Sequence, residues 1–157
     1  MAEVPARFVE LISTITRRIE AEPVEPALGA LLDAEFPADG PIFAEIEALC
    51  RQGCEEGWLC AREAGGIRFG RPVKPGVATH GFSVDVVEMD DVVGPHHTHP
   101  NGEIDMVMPL DGSARFDGCA RGWKVYGPGS AHSPTVAGGK ALVLYLLPDG
   151  AIEFSRG

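Results

Sequence analysis

Residues 96–103 read HHTHPNGE, and a lone His132 follows, so four histidines and a glutamate fall within one short stretch of the chain. His97, His99 and Glu103 stand at HxHxxxE spacing, and along an extended chain odd-numbered residues share one face, so the three aim at a common point. Imidazoles and a carboxylate can replace several waters of a divalent metal while leaving one or two positions open. Without an ion, the same groups form an acid–base set centred on Glu103. His132 is expected to join them from a later strand. His96 falls on the opposite face, where an outer hydrogen bond or simple exposure is expected, and His80 has no assigned role. One histidine in a polar turn would be read as solvated; four beside a glutamate in one small domain are read as a site.

The elements that must carry this cluster are short strands. From about Ile67 the chain runs in extended segments separated by Gly, Pro and Asp: IRFGRPV, FSVDVVEM, EIDMVMPL, SARF and GWKVY paired across DGCAR, then KALVLYLL and AIEFS. No helical crossover separates them, which favours an antiparallel sandwich or small barrel over a βαβ fold. Pro95, Pro100 and Gly102 stiffen the first histidine turn, and YGPGSAH does the same before His132. Met106 and Met108 alternate with Glu103 and Asp105 and so belong to the opposite, core-facing layer. Asp105 shares the parity of Glu103 and lines either the pocket or a solvated edge.

The first 60 residues have a different character. They hold twelve acids against four bases, net −8, whereas residues 61–157 hold eleven against nine. Phe8, Leu11, Ile12, Ile15 and Ile19 recur at helical spacing, as do Phe43, Ile46, Leu49 and Cys50; a shorter helix through Leu28, Leu31 and Leu32 lies between Pro26 and Pro37. The expected division is therefore a helical segment, 1–60, packed on or dimerising a β domain, 61–157. At 157 residues and 45% hydrophobic content the chain suits one domain with a real core. A net charge of −10 argues against nucleic acid and anionic membranes. The start of the chain lacks the pattern of an export signal, and the four cysteines form no CxxC pair; both favour a cytoplasmic protein with reduced core thiols.

Two stretches, GPHHTHPNGEIDMVMP and GWKVYGPGSAH, resemble the signature motifs of the cupin superfamily. The first such motif carries HxH, three or four residues, then Glu; the second carries Pro, Gly and a final His. The resemblance implies a single double-stranded β-helix (jelly roll) barrel, mostly β with an α-helical N-terminal part, and His97, His99, Glu103 and His132 as metal ligands. Three imidazoles and a carboxylate suit Zn, Fe, Mn, Ni or Cu. Two departures touch the loops: the Gly expected after the Glu comes late, as Gly112, and the Pro-x-Gly of the second motif is compressed to Pro128-Gly129.

The acidic helical lead-in joined to a cupin reading HTHPNGEIDMVMP resembles, more narrowly, the 4-hydroxylaminobenzoate lyase family. That resemblance implies conversion of 4-hydroxylaminobenzoate to 3,4-dihydroxybenzoate and ammonia, with Glu103, His99, His97 and His132 catalytic. It also implies a small aromatic carboxylate as partner, which needs a cation and an apolar slot. Arg68 or Arg71 is the expected carboxylate partner, and Tyr126 and Trp123 the expected ring contacts, although core packing alone would account for either aromatic. A homodimer is expected. Two other functions use the same residues: a metal-dependent cupin dioxygenase or isomerase on another small acid, and a non-catalytic ligand-binding cupin.

Overall fold

A computed structural model describes residues 3–155. Three helices come first: α1 (Ala6–Ile19), α2 (Pro26–Glu35) and α3 (Pro41–Glu56). Pro26 and Pro41 each open a helix, where a missing N–H costs nothing, and Gly57 closes α3 in the left-handed conformation at φ 87°. The apolar stripe of α1 is buried in full: Phe8, Leu11, Ile12, Ile15 and Ile19. In α3, Phe43, Ile46, Cys50 and Cys54 do the same, while Leu49 is only partly buried.

Ten strands follow: β1 (Arg62–Ala64), β2 (Ile67–Val73), β3 (Phe82–Val93), β4 (His97–His99), β5 (Glu103–Pro109), β6 (Arg115–Phe116), β7 (Gly122–Tyr126), β8 (Ser130–His132), β9 (Thr135–Pro148) and β10 (Glu153–Phe154). They form two antiparallel sheets rather than one continuous closed barrel. The large sheet runs β1-β2-β3-β9-β5-β7, with β6 also on β9; the small one runs β10-β4-β8. Two expectations change here. The segments SARF and GWKVY do not pair with each other, because Phe116 and Cys119 close a tight turn on themselves; β6 instead joins β9, and β7 joins β5. The histidine-bearing segments, expected as turns attached to strands, are strands in their own right.

Period-2 alternation sorts the large sheet into two layers. Even-numbered residues of β3, β5 and β9, such as Val84, Val86, Ile104, Met106, Leu144 and Leu146, pack with the helices in one cluster. Odd-numbered ones, Val87, Met89, Val107, Val143 and Tyr145, form a second cluster facing the small sheet. Met106 and Met108 are therefore core, fully buried under the helices. His80, in the left-handed region at φ 52°, accepts or donates at Nδ1 to the Thr16 hydroxyl, 2.8 Å away, and so ties the loop before β3 to α1. Arg7 grips Glu45 and Arg18 grips Glu35 on the helical surface, where such pairs add little stability.

Truncating Met106 to Ala should cost about 2–5 kcal/mol of unfolding free energy, the range for a buried methionine, when measured by urea denaturation. Wild-type stability in that variant would mean that the helices do not pack on this face.

Candidate active site

The cluster is assembled by strand pairing. Within the small sheet His97 faces His132 directly in register, and Glu103 reaches the same point from the first residue of β5 in the large sheet. A tight corner connects the two sheets. The His99 carbonyl accepts from both Gly102 N (3.2 Å) and Gly129 N (2.7 Å), binding the turn after β4 to the turn before β8. Gly102 sits at φ 90° with no room for a Cβ, which would lie 2.6 Å from Val24 Cγ1 and 2.9 Å from the Tyr126 carbonyl.

Each imidazole is oriented by its Nδ1. His97 Nδ1 lies 3.2 Å from the Pro95 carbonyl, which can only accept. His99 Nδ1 lies 2.9 Å from Ser130 Oγ, whose own proton goes to the Gly127 carbonyl at 2.6 Å. His132 Nδ1 lies 2.6 Å from Asp117 Oδ2. All three Nδ1 atoms are thus donors, and all three Nε2 atoms turn toward Glu103, at 3.1 Å from His99, 3.4 Å from His97 and 3.5 Å from His132. Neutral rings of this tautomer present bare lone pairs to a carboxylate that also carries only lone pairs. His99 Nε2 and both Glu103 oxygens are buried without a hydrogen-bond partner, and the four ligand atoms lie within 4.8 Å of one another. Acceptors do not converge in a buried space unless a cation or protons sit among them. The donor set fits a divalent metal.

Protons are the other way to satisfy the cluster, and they settle on His132. Burial opposes its charge, but hydrogen bonds to Asp117 and Glu103 outweigh that and raise it to about 9. Burial likewise opposes the Glu103 charge, yet the three imidazoles and Asp105 hold its carboxyl well below the usual range. Asp105 goes the other way: burial and then the charge of Glu103 push it well above the ordinary value, and neither oxygen has a partner. Asp105 thus faces inward, buried, rather than lying on a solvated edge.

A cavity of about 710 Å³ opens beside the cluster, between β2, β3 and β9 on one side and β4 and β10 on the other, with His97 in its wall. Phe69, Val87, Met89, Tyr145 and Phe154 make most of its surface apolar. The Phe154 ring meets the His97 ring edge-on at 5.5 Å. Arg71 lines this cavity but is engaged by Asp85 (2.7 and 3.2 Å) and the Gly150 carbonyl (3.2 Å). Arg62 and Lys74 also border it, and among the described residues neither has a carboxylate partner.

Tyr126 stands on the inner face of β7, its ring 4.5 Å from that of His132 and 5.4 Å from His99, with its hydroxyl donating to Asp117. Arg68 and Trp123 are not brought to the cavity. Cross-strand register turns both to the helix side: Arg68, opposite Glu88, binds it and the Cys54 carbonyl, and Trp123, opposite Met106, lies under the helices, donating from Nε1 to the Phe36 carbonyl at 2.8 Å. His96 is exposed and meets the Ser155 hydroxyl. Sequence reasoning missed Asp117, which holds His132, Tyr126 and the Thr135 N–H together. It also missed Tyr145, the inward tyrosine between Asp85 and Asp105 in the sheet register.

Comparison with known proteins decides the family. The family described as PnbB, 4-hydroxylaminobenzoate lyase, matches residues 10–154. The chain belongs to the 4-hydroxylaminobenzoate lyase family. A 4-hydroxylaminobenzoate lyase of Nocardioides sp. (strain LMS-CY) is 32% identical over 155 residues, covering 93% of this chain and 89% of that protein. One from Pseudomonas putida is 32% identical over 140 residues, covering 78% and 80%. Among solved structures, an RmlC-like cupin protein from Ralstonia eutropha JMP134 aligns with TM-score 0.46 and 15% identity over 61% of this chain and 64% of that one. The match to this lyase family makes the chain a lyase, and no helix among the described residues is long and apolar enough to cross a membrane.

In chelator-treated protein, the raised value of His132 contributes stability that is fully present below pH 6.5 and is lost as pH rises through about 9. Melting temperature measured from pH 6 to 10 should therefore fall more steeply in wild type than in His132→Gln. Parallel curves would show that His132 does not hold the proton.

Proposed function

We propose that this chain converts 4-hydroxylaminobenzoate and water to 3,4-dihydroxybenzoate and ammonia. The observation that carries the reading is the convergence of three imidazole lone pairs on a buried carboxylate at the wall of an apolar cavity. Balance requires the N–O bond to break with loss of one water, two waters to supply the oxygens at ring carbons 3 and 4, and the nitrogen to leave as ammonia. Such a reaction needs a proton at the departing hydroxyl, positioned water, and exclusion of bulk solvent from the electrophilic ring.

We infer that His97, His99, Glu103 and His132 hold a divalent metal, which when bound would supply Lewis acidity and water activation. The apolar walls hold the ring. Arg62 and Lys74, the cavity's cations without a carboxylate partner, take the substrate carboxylate, because Arg71 is already spent on Asp85. With the carboxylate held there, the hydroxylamino end turns toward His97, the one cluster member in the wall. Tyr145 keeps its hydroxyl proton, since burial and then the charges of Glu103 and Asp105 push it well above its usual value; it offers the substrate a donor. Asp117 holds the Nδ1 proton of His132 and thereby the ring's aim.

The test is incubation of purified protein, with and without added divalent metal, with 4-hydroxylaminobenzoate, and assay of ammonia and 3,4-dihydroxybenzoate. Absence of both products under every metal condition would sink the proposal. Glu103→Gln and His99→Ala should each abolish turnover while the circular dichroism spectrum is retained, and His96→Ala should cost less than His97→Ala. The double variant Arg62→Ala/Lys74→Ala should raise KM about tenfold or more, roughly 1.4 kcal/mol, with kcat little changed. An unchanged KM would move the carboxylate to another group.

A further inference from the structure

The sequence makes the four cysteines reduced core thiols, and by spacing alone Cys50 and Cys54, one helical turn apart, are the near neighbours. The structure brings a different pair together. Cys54 in the last turn of α3 and Cys60 just before β1 place their sulfurs 3.0 Å apart. The approach is built into the helix end: Gly57 turns left-handed, the Gly53 carbonyl accepts from both Gly57 N (2.9 Å) and Leu59 N (3.1 Å), and the returning chain folds onto the helix. Gly53 permits this, because a Cβ there would meet Leu59 at 2.7 Å and Trp58 at 2.9 Å. Cys60, at φ 52°, points its sulfur back to the helix.

The two sulfurs have different surroundings. Cys54 borders an outer groove of about 270 Å³ whose walls carry Arg51, Arg68 and Lys140 together with Glu55 and Glu88, and Arg68, paired with Glu88 at 3.0 Å, is anchored beside the thiol by a 3.0 Å bond to the Cys54 carbonyl. Cys60 is nearly enclosed and borders the large cavity on the inner side. A nearby guanidinium and a neighbouring thiol donor favour thiolate, the reactive form. Consistent with this, the hydrogen bond from Cys60 lowers Cys54, whereas that same bond and burial raise Cys60. Burial holds Cys50 and Cys119 above the ordinary thiol value.

We propose that Cys54 and Cys60 form a peroxide-reactive pair, in which a hydroperoxide entering the outer groove oxidises Cys54 and Cys60 resolves the product to an intramolecular disulfide. The Cys54 thiolate attacks one peroxide oxygen, the O–O bond breaks, and the departing hydroxide takes a proton to become water. Cys60 sulfur then attacks Cys54 sulfur, the S–O bond breaks, and a second water leaves with the Cys60 proton. Each sulfur gives up one electron and the peroxide takes two. Bonding draws the sulfurs together by about 1 Å, shifting a wall atom of the cavity. The pairing does not depend on the lyase reading.

The test treats the reduced full-length protein with hydrogen peroxide under native conditions, then unfolds and alkylates it. Tryptic peptide 52–62 contains Cys54 and Cys60 and no other cysteine. Before oxidation it should carry two alkyl groups; afterwards it should carry none, be about 2 Da lighter than the dithiol, and regain both sites on treatment with dithiothreitol. In Cys60→Ser, Cys54 should instead accumulate as a sulfenic acid that a dimedone-type probe traps. Peptide 52–62 retaining both alkyl groups while Cys119 takes up oxygen would overturn the proposal, as would sulfinic acid at Cys54 without a crosslink. The wild-type mapping decides even if a serine variant does not fold.

Discussion

Three imidazole Nε2 atoms pointed at one buried carboxylate are electrostatically untenable without positive charge between them, and much of the inner structure exists to hold them there. Each ring has its Nδ1 committed to a different acceptor: a backbone carbonyl for His97, a serine hydroxyl for His99, a carboxylate for His132. Those partners come from three different segments. The small sheet supplies the register, and the large sheet supplies Glu103. Losing any Nδ1 partner frees a ring to turn its lone pair away, so the outer contacts govern the centre as much as the four converging groups do.

The helices enter this arrangement indirectly. They bury the even-numbered face of the large sheet, and that leaves the odd-numbered face, with Glu103, Asp105 and Tyr145, to look inward. A sheet with one face committed to an apolar layer cannot slip register by one residue without exposing that layer and burying the wrong charges. The polar row Asp85, Tyr145, Asp105 and Lys124, matched across β3, β9, β5 and β7, is therefore fixed by packing on the other side of the sheet.

Much of this was legible in the sequence because period-2 alternation carries it. Parity selected His97, His99 and Glu103, set Met106 and Met108 in the core, and separated His96. Register with the neighbouring strands, Arg68 opposite Glu88 and Trp123 opposite Met106, puts these two on the helix side, although composition makes them reasonable contacts for an aromatic acid. What remained illegible depends on long-range pairing. Nothing local distinguishes a turn histidine from one on the three-residue strand β4, nor predicts that SARF pairs with β9 rather than with GWKVY. Asp117 lies in a tight turn, fifteen residues before His132, and looks like any loop aspartate until the strands meet. Cys54 and Cys60 stand six residues apart across a helix end, and only the left-handed turn at Gly57 folds one sulfur onto the other.

The cavity and the cluster also divide the labour of recognition. Only His97 touches the cavity wall, while His99 and Glu103 are wholly buried behind it. A substrate thus meets the charged centre at one edge, and the rest of its surface meets apolar side chains. An apolar wall with one charged edge suits a largely apolar ligand that carries a polar group where it meets His97. A small polar acid would leave most of the apolar wall uncovered, and its loss of hydration would be poorly offset.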